Sequence, residues 1–340
     1  MKFLPDRRTL QTIGSVLIFS FLMGQLFAQR TSNHGNKFEQ LDGILPTANK
    51  FRGADGAPGS EYWQQKADYK IDCTLDTENQ RLMGKESITY YNQSPSTLKY
   101  LWLQLDENEH RADADKQIFN PSKIGDVMSE GALNRLTPSN GRDKLGCTIE
   151  GVTDASGKAL NYTINKTMMR VDLPQPLKPG EKTTFNVAWN YYLTNRMTQG
   201  GRGGYEYFEK EDNYIFTITQ WFPRMCVYND AEGWQNKQFT GRGEFALNFG
   251  DYDVKMTLPD DYMVASTGEC QNYNSVLSAE EYQRFQKAKY STSGEPLMIR
   301  TLDEALENAA SPKSTNMKTC LLYTSPSPRD QRGSRMPSSA

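Results

Sequence analysis

Two stretches, residues 66–77 and 82–92, alternate apolar and polar side chains with a period of two, and Thr77-Glu78-Asn79-Gln80 is the polar break between them. An extended chain sends successive side chains to opposite faces, so this alternation gives each run one apolar face. Two such runs across a four-residue break predict an antiparallel hairpin. Strand signals recur at 147–152, 161–173, 181–193, 213–221, 237–249 and 253–259, with no helical period between them. That spacing predicts an all-β fold of antiparallel sheets, arranged as a multi-stranded sandwich or saddle, with short helices only towards its carboxyl end. The run at 98–105 places Tyr100 and Trp102 on one face and Leu101, Leu103 and Leu105 on the other, which predicts a strand covered on both sides.

Turn and cap signals divide these runs. Asp154-Ala-Ser-Gly157 and the segment 174–180, with Pro174, Pro176, Pro179 and Gly180, read as connections between strands. Residues 106–142 are charged and Gly/Asn-rich without a period and read as a long loop. Gly200-Gly-Arg-Gly-Gly204 lacks the Gly-Lys-Ser/Thr ending of a phosphate loop and reads as a hairpin tip. Helices are signalled only after Gly268. Ser278-Ala-Glu-Glu281 and Thr301-Leu-Asp-Glu304 are both capping boxes, in which the hydroxyl accepts an early backbone N–H and the glutamate reaches back.

Residues 1–28 have the parts of a secretory signal peptide. Lys2, Arg7 and Arg8 precede an apolar run at 13–28 that ends on Ala28. The run is short and interrupted by Ser15, Ser20 and Gln25, which disfavours an uncleaved membrane anchor. The expected location is therefore secreted or periplasmic. Residues 29–62 are Gly-, Asn- and Ser-rich and read as a flexible linker. With 39 basic against 41 acidic residues the chain has no electrostatic footprint for nucleic acid. Cys73, Cys147, Cys226 and Cys270 are scattered, with no C-x-x-C pair. Cys73 sits on the apolar face of its run and reads as a buried free thiol, although sequence leaves the pairing of the four open.

The stretch 220–268 carries an ordered set of features. Gln220-Trp221-Phe222-Pro223-Arg224 is followed by Val227-Tyr228-Asn229-Asp230 and Gly233-Trp234. Then come Gly241-Arg242-Gly243-Glu244-Phe245, Phe249-Gly250-Asp251-Tyr252-Asp253-Val254, Leu258-Pro259 and Ala265-Ser266-Thr267-Gly268. This order resembles the amino-terminal β-domain of the aminopeptidase N-like family of zinc metallopeptidases, closest to its secreted bacterial branch. The resemblance implies a β-rich domain over 63–275 and, over 276–319, the start of a helical region leading to a catalytic domain. It further implies a zinc cofactor and a peptide substrate in the parent enzyme, with metal-activated water hydrolysing amino-terminal peptide bonds. Gln220 is the nearest match to the family side chain that helps hold the substrate's free amine, and a side-chain carbonyl is chemically suited to accept from an ammonium group.

Zinc chemistry of this type needs H-E-x-x-H on a helix. The chain has two histidines, His34 in the expected linker and His110 in the polar loop, and neither lies in such a motif. His110 reads as a solvated loop side chain. The G-x-M-E-N strand of the family is also missing, and Gly243-Glu244-Phe245 is not a version of it. The expectation is a fragment without catalytic or metal-ligating residues of its own. Residues 320–340 resemble the translated sequence of a common sequencing adapter and are expected to lie outside the natural fold. The competing expectation is a secreted β-sandwich that binds carbohydrate or protein, with Trp221, Phe222, Tyr228 and Trp234 as an aromatic platform.

Overall fold

A computed structural model describes residues 48–116, 127, 129–130, 144–241, 246–293 and 295–324. The expected signal peptide, His34, linker residues 29–47, Gly243-Glu244-Phe245 and the tail from 325 onward lie outside the described residues. The chain divides into one unit ending at Trp63 and another beginning at Gln64. In the first, Arg52 and Pro58 form an isolated antiparallel bridge, and Lys50 pairs with Glu61 at 2.6 Å.

The second unit is built from strands. In chain order they are β1 (Lys66–Asp76), β2 (Arg81–Tyr91), β3 (Leu98–Gln104), β4 (Thr148–Asp154), β5 (Tyr162–Asn165), β6 (Met168–Leu177), β7 (Lys182–Tyr192) and β8 (Gly204–Phe208). There follow β9 (Asn213–Thr217), β10 (Arg224–Met225), β11 (Tyr228–Asn229), β12 (Gly233–Trp234), β13 (Tyr252–Pro259), β14 (Glu269–Cys270) and β15 (Met317–Tyr323). The α-helices are short: α1 (Arg196–Gln199), α2 (Tyr273–Val276), α3 (Ala279–Lys289) and α4 (Leu302–Ala310). No helix among the described residues is long and apolar enough to cross a membrane.

The largest sheet has seven strands in the order β14-β15-β13-β1-β2-β7-β4. All its pairs are antiparallel except β1–β13, which is parallel with Ile71 opposite Val254. The β1–β2 hairpin forms as the alternation predicts, from Lys66 opposite Tyr91 to Asp76 opposite Arg81. Its turn is fixed by Asp76, whose Oδ1 accepts from the backbone N–H of Glu78 and of Asn79, while Gln80 takes the left-handed backbone that closes it (φ 48°). The inward face carries Tyr69, Ile71 and Leu75 from β1 and Phe185, Val187, Trp189 and Tyr191 from β7. Gly84 sits among them because a Cβ there would lie 2.4 Å from the Trp189 indole.

A four-stranded sheet, β10-β3-β6-β5, lays Leu101 and Leu103 of β3 and Met169 and Val171 of β6 into the same hydrophobic cluster. The two inner faces make one sandwich core, in which each fully buried large side chain contributes about 1.5–3 kcal/mol.

Several expectations change. The second face of β3 is covered unevenly: Gln104 is fully buried and Trp102 half-buried, but Tyr100 is 37% exposed, with the Arg170 guanidinium 5.0 Å from its ring centroid. The run at 161–173 breaks into β5 and β6 at Lys166, whose φ of 54° turns the chain back on itself. The prolines at 174 and 176 do not end β6. They fall beyond the residues that pair with β5, where β6 has an open edge and a missing N–H breaks no ladder bond on that side. Residues 237–241 and 246–249 form no strand; Phe249 makes a single bridge to Lys66. Gly200–204 is not a hairpin tip. The β8–β9 turn lies at 209–212, and Gly204 begins β8 in positive φ (129°), where a Cβ would meet the Thr194 carbonyl at 2.3 Å.

Both capping boxes form. Ser278 and Glu281 start α3, and Thr301 and Glu304 start α4. Strand β15 runs to Tyr323 and pairs Cys320 with Met256 of β13, so residues 320–323 of the expected tail lie in the sheet.

Candidate functional site

The segment holding Gln220, Trp221, Phe222 and Pro223 connects β9 to β10, and three contacts clamp its end. The Met225 N–H donates to the Tyr69 phenol oxygen at 2.9 Å, and the Cys226 N–H donates to the Trp102 carbonyl at 2.8 Å. Arg224 donates through Nε to Asp106 Oδ2 at 3.0 Å, with a second, short contact from Nη2 to the same oxygen. Its Nη2 also reaches Gln104 Oε1 at 3.4 Å. Asp106 keeps only 3% of its side chain exposed and Arg224 12%. Burial pushes the Asp106 carboxyl above the usual carboxylate range, with the Arg224 charge opposing the shift.

Aromatic rings fix the rest of the segment. Phe222 packs edge-on to Tyr69 at 5.4 Å, to Trp221 at 4.8 Å and to Tyr252 at 6.0 Å between centroids. Tyr69 and Tyr252 stack at 4.8 Å across the parallel β1–β13 pair, and Trp221 lies 5.9 Å from Trp189 in the core. Burial holds the Tyr252 phenol up at about 12 and the Tyr69 phenol well above its usual value. Both stay neutral; Tyr252 packs, and Tyr69 packs and accepts the Met225 N–H.

Trp221, Phe222, Arg224 and Tyr252 line a cleft of about 780 Å³, within the usual size range of ligand sites. Gln220, Trp221 and Phe222 form part of its wall, with Tyr252 and Leu258 from β13 and residues 264–268. Among the described residues Arg224 is the one charged residue along it, and its guanidinium is committed to Asp106. Gln220 is half-buried and has φ 53°, a left-handed conformation that costs a residue other than glycine about 1–2 kcal/mol. The structure thus brings Gln220, Trp221 and Phe222 together on one surface. Tyr228 and Trp234 fall in a separate ring group, 5.1 Å apart across β11–β12, with Trp234 6.1 Å from Tyr90. All four rings are half-buried against the core, so they form no single flat platform.

His110 is not a solvated loop side chain. It lies on a 3₁₀ turn (Asp106–His110), 15% exposed, with Nε2 3.4 Å from Glu109 Oε1; Glu109 also pairs with Lys116 at 2.9 Å. Among the described residues no three His, Cys, Asp or Glu side chains are placed to hold a metal. Cys73, Cys147, Cys226, Cys270 and Cys320 are free and buried. Burial raises the first three thiols above their usual range, keeping them protonated and unsuited to binding a metal as thiolates. The described residues therefore do not fit a catalytic zinc.

Sequence reasoning missed two groups. The Asp106–Arg224 pair joins residues 118 positions apart and leaves no local signal. Glu86 had one, because it occupies an inward position of an alternating run, between Gly84 and Ile88. It is 2% exposed, neither carboxylate oxygen has a hydrogen-bond partner among the described residues, and burial raises its carboxyl well above the ordinary range.

No protein-family profile and no curated protein matches the chain. Solved structures similar to it include an M1 zinc metallopeptidase from Deinococcus radiodurans, 12% identical with a TM-score of 0.35, over 76% of this chain and 39% of that one. A mutant of the M1 zinc metallopeptidase from the same organism is 12% identical with a TM-score of 0.35, over 78% of this chain and 40% of that chain. A mutant two-domain M1 zinc metallopeptidase bound to L-tryptophan is also 12% identical with a TM-score of 0.35, over 79% and 41% of the two chains. This chain spans about two-fifths of the length of those structures. Likeness at that level assigns no role to any residue here.

Proposed function

We propose that the chain is the β-built, non-catalytic portion of an exported zinc aminopeptidase, whose metal and hydrolytic groups belong to a helical domain encoded beyond it. One observation supports this reading. Features that the sequence spreads over positions 220–268 converge in space, so that Gln220, Trp221, Phe222, Tyr252, Leu258 and Ala265 through Gly268 line a single cleft. In this reading the Gln220 carbonyl accepts from the free amine of a peptide at the cleft wall, and the aromatic side chains exclude water around it. In this reading the chain's own contribution is binding surface. The Asp106–Arg224 pair and the ring contacts around Phe222 hold that surface in place.

Hydrolysis of leucine p-nitroanilide by the purified chain, with zinc or with chelator, tests the division of labour. No turnover is expected in either condition. Turnover that chelator abolishes and zinc restores would place the catalytic groups in this chain and overturn the reading.

A further inference from the structure

Strand β9 has an open edge. In the β8–β9 ladder Tyr205 faces Phe216, and the Tyr205 N–H points away from β9 to donate to the Thr194 carbonyl at 2.8 Å. Opposed residues in an antiparallel ladder turn their backbone groups the same way, either towards each other or both outward. Phe216 therefore directs its N–H and carbonyl away from β8. No backbone partner for either lies among the described residues. The neighbouring outward N–H, that of Tyr214, is capped by the Asn213 side chain at 2.9 Å, so Phe216 is the point at which the edge is open.

That edge borders the cleft. Tyr214, Ile215 and Phe216 all line it, although successive side chains of a strand point to opposite faces. A cavity touched by three consecutive strand residues lies along the strand's edge. The rest of its described lining is mainly apolar, including Trp221, Phe222, Leu258 and Tyr262, and the charge of Arg224 is neutralised by Asp106. Among the described residues, no unpaired charge lines the cleft. An extended chain with apolar side chains at alternate positions finds both backbone partners and apolar walls. We infer that this cleft binds an extended, apolar peptide segment by strand addition, the peptide backbone pairing with the free edge of β9 at Phe216. This inference does not rest on the aminopeptidase reading.

The probe is a fluorescein-labelled, end-blocked heptapeptide alternating threonine and valine with a central phenylalanine. Anisotropy titration with the purified chain is expected to show saturable binding. Methylating the amide nitrogens that face β9 should weaken it at least about tenfold, while methylating those on the other edge should leave it unchanged. Phe216→Pro removes the open-edge N–H and leaves the ladder bonds to β8 in place, and should weaken binding by a similar factor. Equal binding of the two methylated peptides would overturn the inference, and so would no binding up to about 1 mM by the folded chain. A dimer of the chain that Phe216→Pro dissociates would assign the edge to a second copy and overturn the peptide assignment. The methylated peptides decide the matter even where Phe216→Pro does not fold.

Discussion

The Met225 backbone N–H donates to the phenol oxygen of Tyr69 at 2.9 Å, tying the end of the cleft segment to the centre of β1 across 156 residues of sequence. Both groups are buried, so removing the oxygen leaves an N–H with no partner and no water. Tyr69→Phe is expected to destabilise the second unit by about 1–3 kcal/mol in urea unfolding. It should also change the tryptophan emission, because Phe222 stands between Tyr69 and Trp221.

Arg224 and Asp106 form an ion pair that solvent scarcely screens. Arg224→Ala strands the carboxylate and is expected to cost about 3–5 kcal/mol. Arg224→Met combined with Asp106→Leu should recover much of that loss in a double-mutant cycle, because the buried charges then disappear together.

Glu86 gives the fold a pH dependence. Its carboxyl is raised in the folded state, so the neutral form is fully present in both states below about pH 4.3 and contributes its full stability there. As pH rises the unfolded chain ionises first, and stability falls by up to about 1.4 kcal/mol per pH unit until the folded carboxyl also ionises. Denaturation midpoints of Glu86→Gln between pH 5 and pH 8 should be flatter than those of the unmodified chain.

Helix α4 depends on its own amino terminus. Thr301 Oγ1 accepts from the Glu304 N–H, Glu304 reaches back to the Thr301 N–H, and Arg284 of α3 donates to both Glu304 oxygens at 2.7 Å. Thr301→Ala is expected to cost about 1 kcal/mol. The effect should be local, with faster amide exchange in α4 and unchanged exchange in β1, β2 and β7.

At Gln220, glycine and alanine separate strain from chemistry. Glycine takes the left-handed backbone freely, so Gln220→Gly should be more stable than Gln220→Ala by about 1 kcal/mol. The proposed aminopeptidase reading predicts that both raise KM for an aminoacyl substrate alike, since both lack the amide.

The parts of this fold that were legible in sequence are those fixed by neighbours. Alternation and the polar break Thr77-Glu78-Asn79-Gln80 specify the β1–β2 hairpin, and four residues suffice for each capping box. What escaped depends on distance. The parallel pairing of Tyr69 with Tyr252 joins residues that no short pattern connects. Lys166 turns the chain in a conformation lysine rarely takes, so residues 161–173 read as one run rather than two strands. His110 lies in a polar stretch yet is largely covered, because burial is set by what packs over a loop rather than by the loop's composition. The cleft was half-legible: its motif residues could be ordered in sequence, but their convergence rests on the Arg224, Tyr69 and Tyr252 contacts.

Reading the coding sequence that continues this chain in an intact genome is the most direct test of the proposed function. Continuation into a helix bearing H-E-x-x-H, with a further glutamate to complete the ligand set, is the expected result. A natural stop in place of that continuation, or a continuation with no zinc-ligating helix, would contradict it.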